Sequence, residues 1–153
     1  MNLSKHRGFT LIELIVTVMV ISILVGLAVP LARNSIKREK EIELRTALRE
    51  MRTAIDKYKD ASDRGFIMVK VDTEGYPEKL QDLVDGVQMV GAVDKKLKFL
   101  RRIPTDPMTN STDWGLRSYQ DDPKATSWGG QNVFDVYTKS GGTAFDGTKY
   151  KEW

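Results

Sequence analysis

Glu13 is the residue whose chemistry most needs an explanation. It is the single formal charge in residues 9–32, and residues 1–8 before it contain basic side chains and no acid. A carboxylate inside an apolar helix costs about 3 kcal/mol on insertion scales, so such a group is normally paired or functional. If the chain is cleaved after Gly8, the new α-amino group of Phe9 lies about one helical turn from Glu13, on the same or a neighbouring chain, and supplies a partner. The alternative is that Glu13 sits among lipid headgroups without a role.

Residues 9–32 form the apolar element that positions Glu13. Their uncharged part, residues 14–32, reaches about 28 Å at a rise of about 1.5 Å per residue, which is near the hydrocarbon thickness of a bilayer. We therefore expect a transmembrane helix. An ordinary secretory signal is cleaved after its apolar stretch, whereas the candidate site at Gly8 precedes it, so the helix stays in the mature chain. Basic residues flank both ends, and the charge pattern alone leaves the orientation open.

Gly26 and Pro30 predict a weak point near the end of this helix. Proline removes a main-chain donor and clashes with the carbonyl group four positions earlier. Here that position is Gly26, which is itself a poor helix former. The helix is therefore expected to kink or melt between these two residues.

Residues 33–60 continue as an amphipathic helix. Apolar side chains recur at three- and four-residue spacings and predict a stripe that faces a core. This stripe comprises Leu44, Ala47, Leu48, Met51, Ala54, Ile55 and Tyr58. The other faces are charged, and the pairs Glu41 with Arg45 and Arg52 with Asp56 have the i,i+4 spacing of weak, solvated ion pairs.

Shorter elements follow this helix. Residues 66–71 form a β-like run, and Pro77 stands where the first turn of a helix tolerates proline, which predicts a short helix that ends before Gly86. Residues 114–120 and 133–138 have the composition and alternation of a pair of strands.

Three segments follow from these patterns. Residues 1–8 form a leader, residues 9–32 an apolar helix, and residues 33–153 a head that is large enough for one modest core. The chain contains no cysteine, which excludes a disulfide framework and thiolate metal sites.

Composition and residue types argue against an enzyme and against nucleic-acid binding. His6 is the only histidine and lies in the leader, so the mature chain has no Ser-His-Asp triad. The carboxylate pairs Asp82 with Asp85 and Asp121 with Asp122 are best explained as solvated surface charges. The formal net charge of +3 is owed in part to the leader, and no basic face is evident.

The run Gly8-Phe9-Thr10-Leu11-Ile12-Glu13-Leu14 resembles the prepilin processing motif of type IV pilins and type II secretion pseudopilins. This resemblance implies that a prepilin peptidase cuts between Gly8 and Phe9 and N-methylates Phe9. It also implies that Glu13 helps each subunit to dock into a helical filament. The segment around Gly26 and Pro30 would lose helical order on assembly.

The head resembles the G-type major pseudopilins of type II secretion. The similarity is carried by Tyr76-Pro77 before a short helix, the turn Pro104-Thr105-Asp106-Pro107, the aromatic strand at 114–119, and Phe134-Asp135-Val136-Tyr137 before Ser140-Gly141. It implies a type IV pilin-like α+β fold, with a long N-terminal helix packed on a small C-terminal antiparallel β-sheet domain.

By this resemblance the chain is a structural subunit that polymerises into a type II secretion pseudopilus and drives protein export. Its partners would be other copies in a helical homopolymer, the prepilin peptidase, minor pseudopilins and an inner-membrane assembly platform. It would cross the bacterial inner membrane once and place its head in the periplasm. Two alternatives remain: a type IV pilin or minor pilin of a surface filament, and a membrane-tethered binding module that never polymerises.

Calcium is the one cofactor that the resemblance suggests, because this family commonly binds it in an acidic C-terminal loop. The matching stretch, residues 140–153, offers Asp146 as a ligand and Glu152 as the other carboxylate. Calcium takes roughly six to eight oxygen ligands, often several of them carboxylates. Asp146 is thus the candidate ligand of a site that is short of acidic groups.

Overall fold

The structure is a computed structural model that describes residues 8–92 and 94–153, without the side chains of residues 27–32. It divides into two compact units, Met1–Glu39 and Lys40–Trp153. The elements are α1 (Leu11–Asp63), α2 (Asp82–Asp85), β1 (Val87–Gln88), β2 (Lys96–Leu97), β3 (Gly115–Arg117), β4 (Asp135–Tyr137) and a 3₁₀ turn (Tyr150–Glu152). A long N-terminal helix followed by small antiparallel sheets confirms the expected α+β fold.

Helix α1 is a single helix of 53 residues. Its main chain stays helical past Gly26 and at position 30, so the isolated chain shows no break there. The side chain of Pro30 lies outside the described residues. The predicted loss of helical order concerns the assembled filament and stays a prediction.

The core of the second unit lies under the C-terminal half of α1. All seven residues of the predicted stripe are buried, and Leu44 and Met51 have no exposed surface. They pack with Leu83, Val133 and Val136, which are also fully buried. The three- and four-residue spacing therefore identified the core-facing side of the helix correctly.

The strands form two separate two-stranded antiparallel sheets. β1 pairs with β2, and β3 pairs with β4 with Leu116 opposite Val136. β3 and β4 lie inside the two stretches that were predicted to pair. The predicted β-like run at 66–71 is reduced to an isolated bridge between Ile67 and Met89.

The predicted helix after Pro77 is shorter than expected. Only Asp82–Asp85 is α-helical, because the residues before it turn through hydrogen bonds three residues apart, such as those from Asp82 N–H to the Lys79 carbonyl (3.1 Å) and from Leu83 N–H to the Leu80 carbonyl (3.3 Å). The carbonyl group of Pro77 instead accepts a hydrogen bond from Val133 N–H (2.7 Å). Gly86 ends the helix as predicted, with a positive φ of 81° that favours glycine.

Candidate functional sites

Thr10 caps the N-terminus of α1 directly before Glu13. Its hydroxyl oxygen accepts a hydrogen bond from Glu13 N–H at 3.3 Å, and its carbonyl group accepts one from Leu14 N–H at 3.2 Å. Threonine at the cap with glutamate three residues later is the pattern of a capping box, which the sequence analysis overlooked. Glu13 therefore lies in the first turn, where the helix dipole favours a negative charge.

Within the first unit, residues 9–25 expose their large apolar side chains on every side of the helix. Phe9 is 83% exposed and Leu11 79% exposed, and large apolar side chains remain exposed as far as Val25. The hydroxyl groups of Thr17 and Ser22 donate to the carbonyl groups of Glu13 (2.6 Å) and Val18 (2.7 Å) in the preceding turn. Because these hydroxyls are satisfied within the helix, little side-chain polarity opposes burial of this surface.

None of the helices has, among the residues described, a stretch that is both long and apolar enough to cross a membrane. The predicted span at 14–32 ends in residues 27–32, whose side chains lie outside the described residues. Lys5, His6 and Arg7 of the predicted leader also lie outside them. Gly8, Phe9 and Thr10 are described, precede the helix and are exposed.

Asp146, the candidate calcium ligand, already has partners on both of its carboxylate oxygens. Oδ1 accepts hydrogen bonds from the hydroxyl (2.6 Å) and the main-chain N–H (2.9 Å) of Thr148. Oδ2 lies 3.5 Å from Nη2 of Arg45 on α1. The hydrogen bonds from Thr148, and to a lesser degree the charge of Arg45, hold the pKa of Asp146 below its usual value.

Trp153 and Arg45 extend this set of contacts. The guanidinium carbon of Arg45 lies 3.9 Å from the centroid of the Trp153 ring. The indole N–H of Trp153 donates to the hydroxyl oxygen of Thr148 at 2.7 Å. Arg45, Asp146, Thr148 and Trp153 thus form a closed ring of contacts, named here the C-terminal clasp.

Glu41 makes a second connection between α1 and the C-terminal loop. Its Oε1 accepts hydrogen bonds from the Tyr150 hydroxyl (2.8 Å) and from Phe145 N–H (3.2 Å). Burial and the hydrogen bond to Glu41 raise the pKa of Tyr150 to about 12. This phenol therefore remains a donor throughout the physiological pH range.

The charged face of α1 is therefore less solvated than predicted. Arg52 forms an ion pair with Asp135 (2.7 Å) rather than with Asp56, and it donates to the main-chain oxygen of Trp153 at 2.6 Å. Asp135 also pairs with Arg117 at 3.1 Å. The predicted pairs Arg52 with Asp56 and Glu41 with Arg45 are replaced by contacts that join the helix to the β-region.

The residues around Asp146 do not fit a calcium site in this arrangement. No group of three or more histidine, cysteine, aspartate or glutamate side chains that could hold a metal occurs within residues 8–92 and 94–153. Calcium needs roughly six to eight oxygens, whereas both oxygens of Asp146 already accept internal contacts. The neighbouring Arg45 also brings a positive charge to the place where the ion would bind.

Asp106, which belongs to the turn expected from the sequence, has a structural role that the sequence did not indicate. It is fully buried and accepts hydrogen bonds from the hydroxyl groups of Thr109 (3.0 Å) and Thr138 (2.5 Å) and from Met108 N–H (2.8 Å). A carboxylate between two prolines indicates a tight turn. Only the fold shows that the Thr138 hydroxyl lies close enough to donate a hydrogen bond to this carboxylate. Asp106 thus fixes the loop that precedes β3 to the end of β4.

Asp121 and Asp82, each a member of one of the two carboxylate pairs, accept hydrogen bonds from main-chain N–H groups in turns. Asp121 accepts hydrogen bonds from the N–H groups of Ser118 (2.7 Å) and Gly129 (3.0 Å), and these bonds lower its pKa. Asp82 accepts one from Lys79 N–H at 2.9 Å. Their oxygens thus bind main-chain donors at the start of turns.

Comparisons with known proteins find one family match at the N-terminal segment and one relative that is similar over most of the chain. Residues 3–29 match the family described as the prokaryotic N-terminal methylation motif. The chain is 30% identical over 112 residues to the type II secretion system core protein G of Escherichia coli K12, covering 69% of each chain. It is 42% identical over 53 residues to the type IV major fimbrial protein FimA of Dichelobacter nodosus, covering 35% of this chain and 34% of that protein. No solved structure matches the chain significantly.

Proposed function

The chain belongs to the family of the type II secretion system core protein G, and we propose that it builds the filament of a type II secretion pseudopilus. It is a pilin-like filament subunit. The observation that carries this function is the first unit, in which a capped helix leaves its apolar side chains exposed. Such a surface needs a cover, and identical helices in a homopolymer provide one, while lipid covers it before assembly.

The processing chemistry that we propose uses Gly8, Phe9 and Glu13. A prepilin peptidase would cut after Gly8 and methylate the amino group of Phe9, both of which lie in an exposed segment before the helix begins. Glu13, in the first helical turn, would then pair with the amino group of an incoming or adjacent subunit. An ion pair that is enclosed among apolar helices is costly unless both charges are matched, so this pairing fixes the register of docking.

The proposed location is the bacterial inner membrane, with a single span and the head in the periplasm. The proposed partners are minor pseudopilins and an inner-membrane assembly platform, in addition to other copies of the chain. The similarity to a secretion protein over 69% of the chain supports this assignment. The filament would lengthen as subunits leave the membrane and would push exported proteins outward.

A surface fimbria is the second candidate, favoured by the 42% identity to FimA. That match covers about a third of this chain, whereas the match to core protein G covers twice as much. Deletion of the gene distinguishes the two functions. Loss of a secretion filament leaves exported proteins in the periplasm, whereas loss of a fimbria removes surface fibres and leaves export intact.

The first experiment is the intact mass and N-terminal sequence of the protein extracted from its native membrane. We expect a chain that begins at N-methylated Phe9. A chain that begins at Met1 would contradict processing at Gly8 and favour a simple membrane tether.

The second experiment tests Glu13 with a matched control. Glu13→Gln keeps the shape of the side chain and removes its charge, whereas Glu39→Gln makes the same change at an exposed glutamate farther along α1. We expect Glu13→Gln to abolish filaments in electron micrographs at an unchanged level of processed subunit, and Glu39→Gln to assemble normally. Normal filaments from Glu13→Gln would refute the proposed pairing.

A further inference from the structure

The C-terminal clasp closes the loop of residues 140–153 onto helix α1 without any group from outside the chain. Each of its four members contacts the next: Arg45 contacts Asp146, Asp146 contacts Thr148, Thr148 contacts Trp153, and the Trp153 ring lies against Arg45. The ring of contacts therefore has no open position. A loop that is closed in this way differs from an acidic loop that stays unfolded until a cation binds.

We propose that Arg45 takes the place of a calcium ion in this loop, so that the head of this chain folds independently of calcium. A bound cation in such a loop neutralises carboxylates and joins the loop to the rest of the domain. The Arg45 guanidinium does both, because it lies 3.5 Å from Asp146 Oδ2 and is part of α1.

Asp146 and Glu41, two carboxylates of this region, already accept hydrogen bonds from donors within the chain. Oδ1 of Asp146 accepts two hydrogen bonds from Thr148, and Oε1 of Glu41 accepts two from Tyr150 and Phe145. A calcium ion would have to displace these donors and approach Arg45, a like charge. It would also have to collect the rest of its ligands from neutral groups, since the described residues contain no cluster of acids there.

The shape of arginine is essential to this role. Its planar guanidinium can stack on the Trp153 ring and still direct an N–H group to Asp146, whereas the ammonium group of lysine is a point charge. The side chains of Arg45 and Asp146 are 56% and 53% exposed, so water and salt weaken their charge interaction. Much of the effect must therefore come from the stacked contact with Trp153.

The test uses the full-length chain in detergent micelles. The melting temperature is measured with calcium and with a chelator, and terbium is titrated as a luminescent calcium probe, for which Trp153 serves as the sensitiser. We expect no shift in melting temperature and no saturable terbium emission. A rise of about 5 °C with calcium, or saturable emission, would overturn the proposal, since a cation that binds the folded state raises its stability.

Substitutions at Arg45 test whether this residue stabilises the contact between the C-terminal loop and α1. Arg45→Leu is expected to lower the melting temperature by about 2–5 °C, and Arg45→Lys by less. Arg49→Leu is the matched control, because Arg49 is exposed one turn farther along the same helix. Equal melting temperatures for Arg45→Leu and Arg49→Leu would overturn the role of Arg45.

Discussion

Replacement of Tyr150 by phenylalanine isolates a single hydrogen bond between the C-terminal loop and α1. Tyr150 is 4% exposed, and its hydroxyl donates to Glu41 Oε1 at 2.8 Å. Phenylalanine keeps the ring, which packs edge-on against Trp153 with centroids 5.2 Å apart. The substitution therefore removes the donor and leaves the packing, while Glu41 retains its bond from Phe145 N–H.

The expected loss is about 1.5 kcal/mol of unfolding free energy, the lower end for a hydrogen bond to a charged group, because Glu41 is only half-buried. This corresponds to a fall of about 3–6 °C in melting temperature. The effect must also depend on pH. The pKa of Tyr150 is raised from 10.0 to about 12, so its stabilising contribution is complete below pH 10.0 and is lost as the pH rises toward about 12. The difference between the two proteins should therefore shrink as the pH rises above 10.0.

The assay is denaturant unfolding of wild type and Tyr150→Phe in micelles, repeated at a series of pH values from neutral up to about 12. Tyr119→Phe is the control, because the Tyr119 side chain is exposed and removal of its hydroxyl should change stability little. A Tyr150→Phe protein as stable as wild type at neutral pH would refute the argument. So would a difference that persists unchanged at pH 12, because the wild-type phenol is then substantially ionised.

Three further substitutions test the packing of the head, each measured by thermal or denaturant unfolding. Gly115→Ala should destabilise it by about 1–3 kcal/mol, because a Cβ atom at this position would meet the Tyr137 ring at a distance of 2.3 Å; an unchanged stability would mean that the ring can move aside. Thr138→Val should cost about 1–3 kcal/mol, since the buried carboxylate of Asp106 loses a donor at 2.5 Å; a neutral effect would show that water replaces the hydroxyl. Met51→Ala should cost about 2–5 kcal/mol, because Met51 is fully buried in the core; a loss below 1 kcal/mol would show that the core collapses around the smaller residue.

The sequence was sufficient to predict the parts of the fold that depend on local periodicity. The stripe from Leu44 to Tyr58 follows from the 3.6-residue repeat of a helix, and each helical turn presents the same side to the core. The strands at 115–117 and 135–137 follow from alternation and from the turn residues between them. These predictions agree with the structure because the apolar positions that the local pattern marks are the ones that become buried in the core.

Contacts between distant residues could not be predicted in this way. Arg52 has Asp56 one turn away, yet it pairs with Asp135, which is 83 positions later in the chain. A half-buried pair that also bonds to main-chain oxygens is worth more than an exposed i,i+4 pair, so the tertiary partner wins. Likewise, the carbonyl group of Pro77 accepts a hydrogen bond from the distant Val133 N–H, and the helix is shorter than predicted. The partner that a residue binds depends on which strand lies beside it in the fold. The spacing of residues along the sequence carries no information about that.

The two units of the chain meet different physical demands, and this separates assembly from folding. The second unit buries its apolar stripe within its own core, whereas the first unit leaves apolar side chains such as Phe9 and Leu11 exposed. Loss of a core contact such as that of Met51 should therefore reduce the amount of folded subunit, because stability falls before any filament forms. Loss of the Glu13 charge should leave a folded, processed subunit that fails to polymerise. If the substitutions at Met51 and at Glu13 lowered the amount of subunit equally, Glu13 would contribute to the stability of the folded subunit. The hypothesis that the first unit serves assembly and the second unit serves folding would then be wrong.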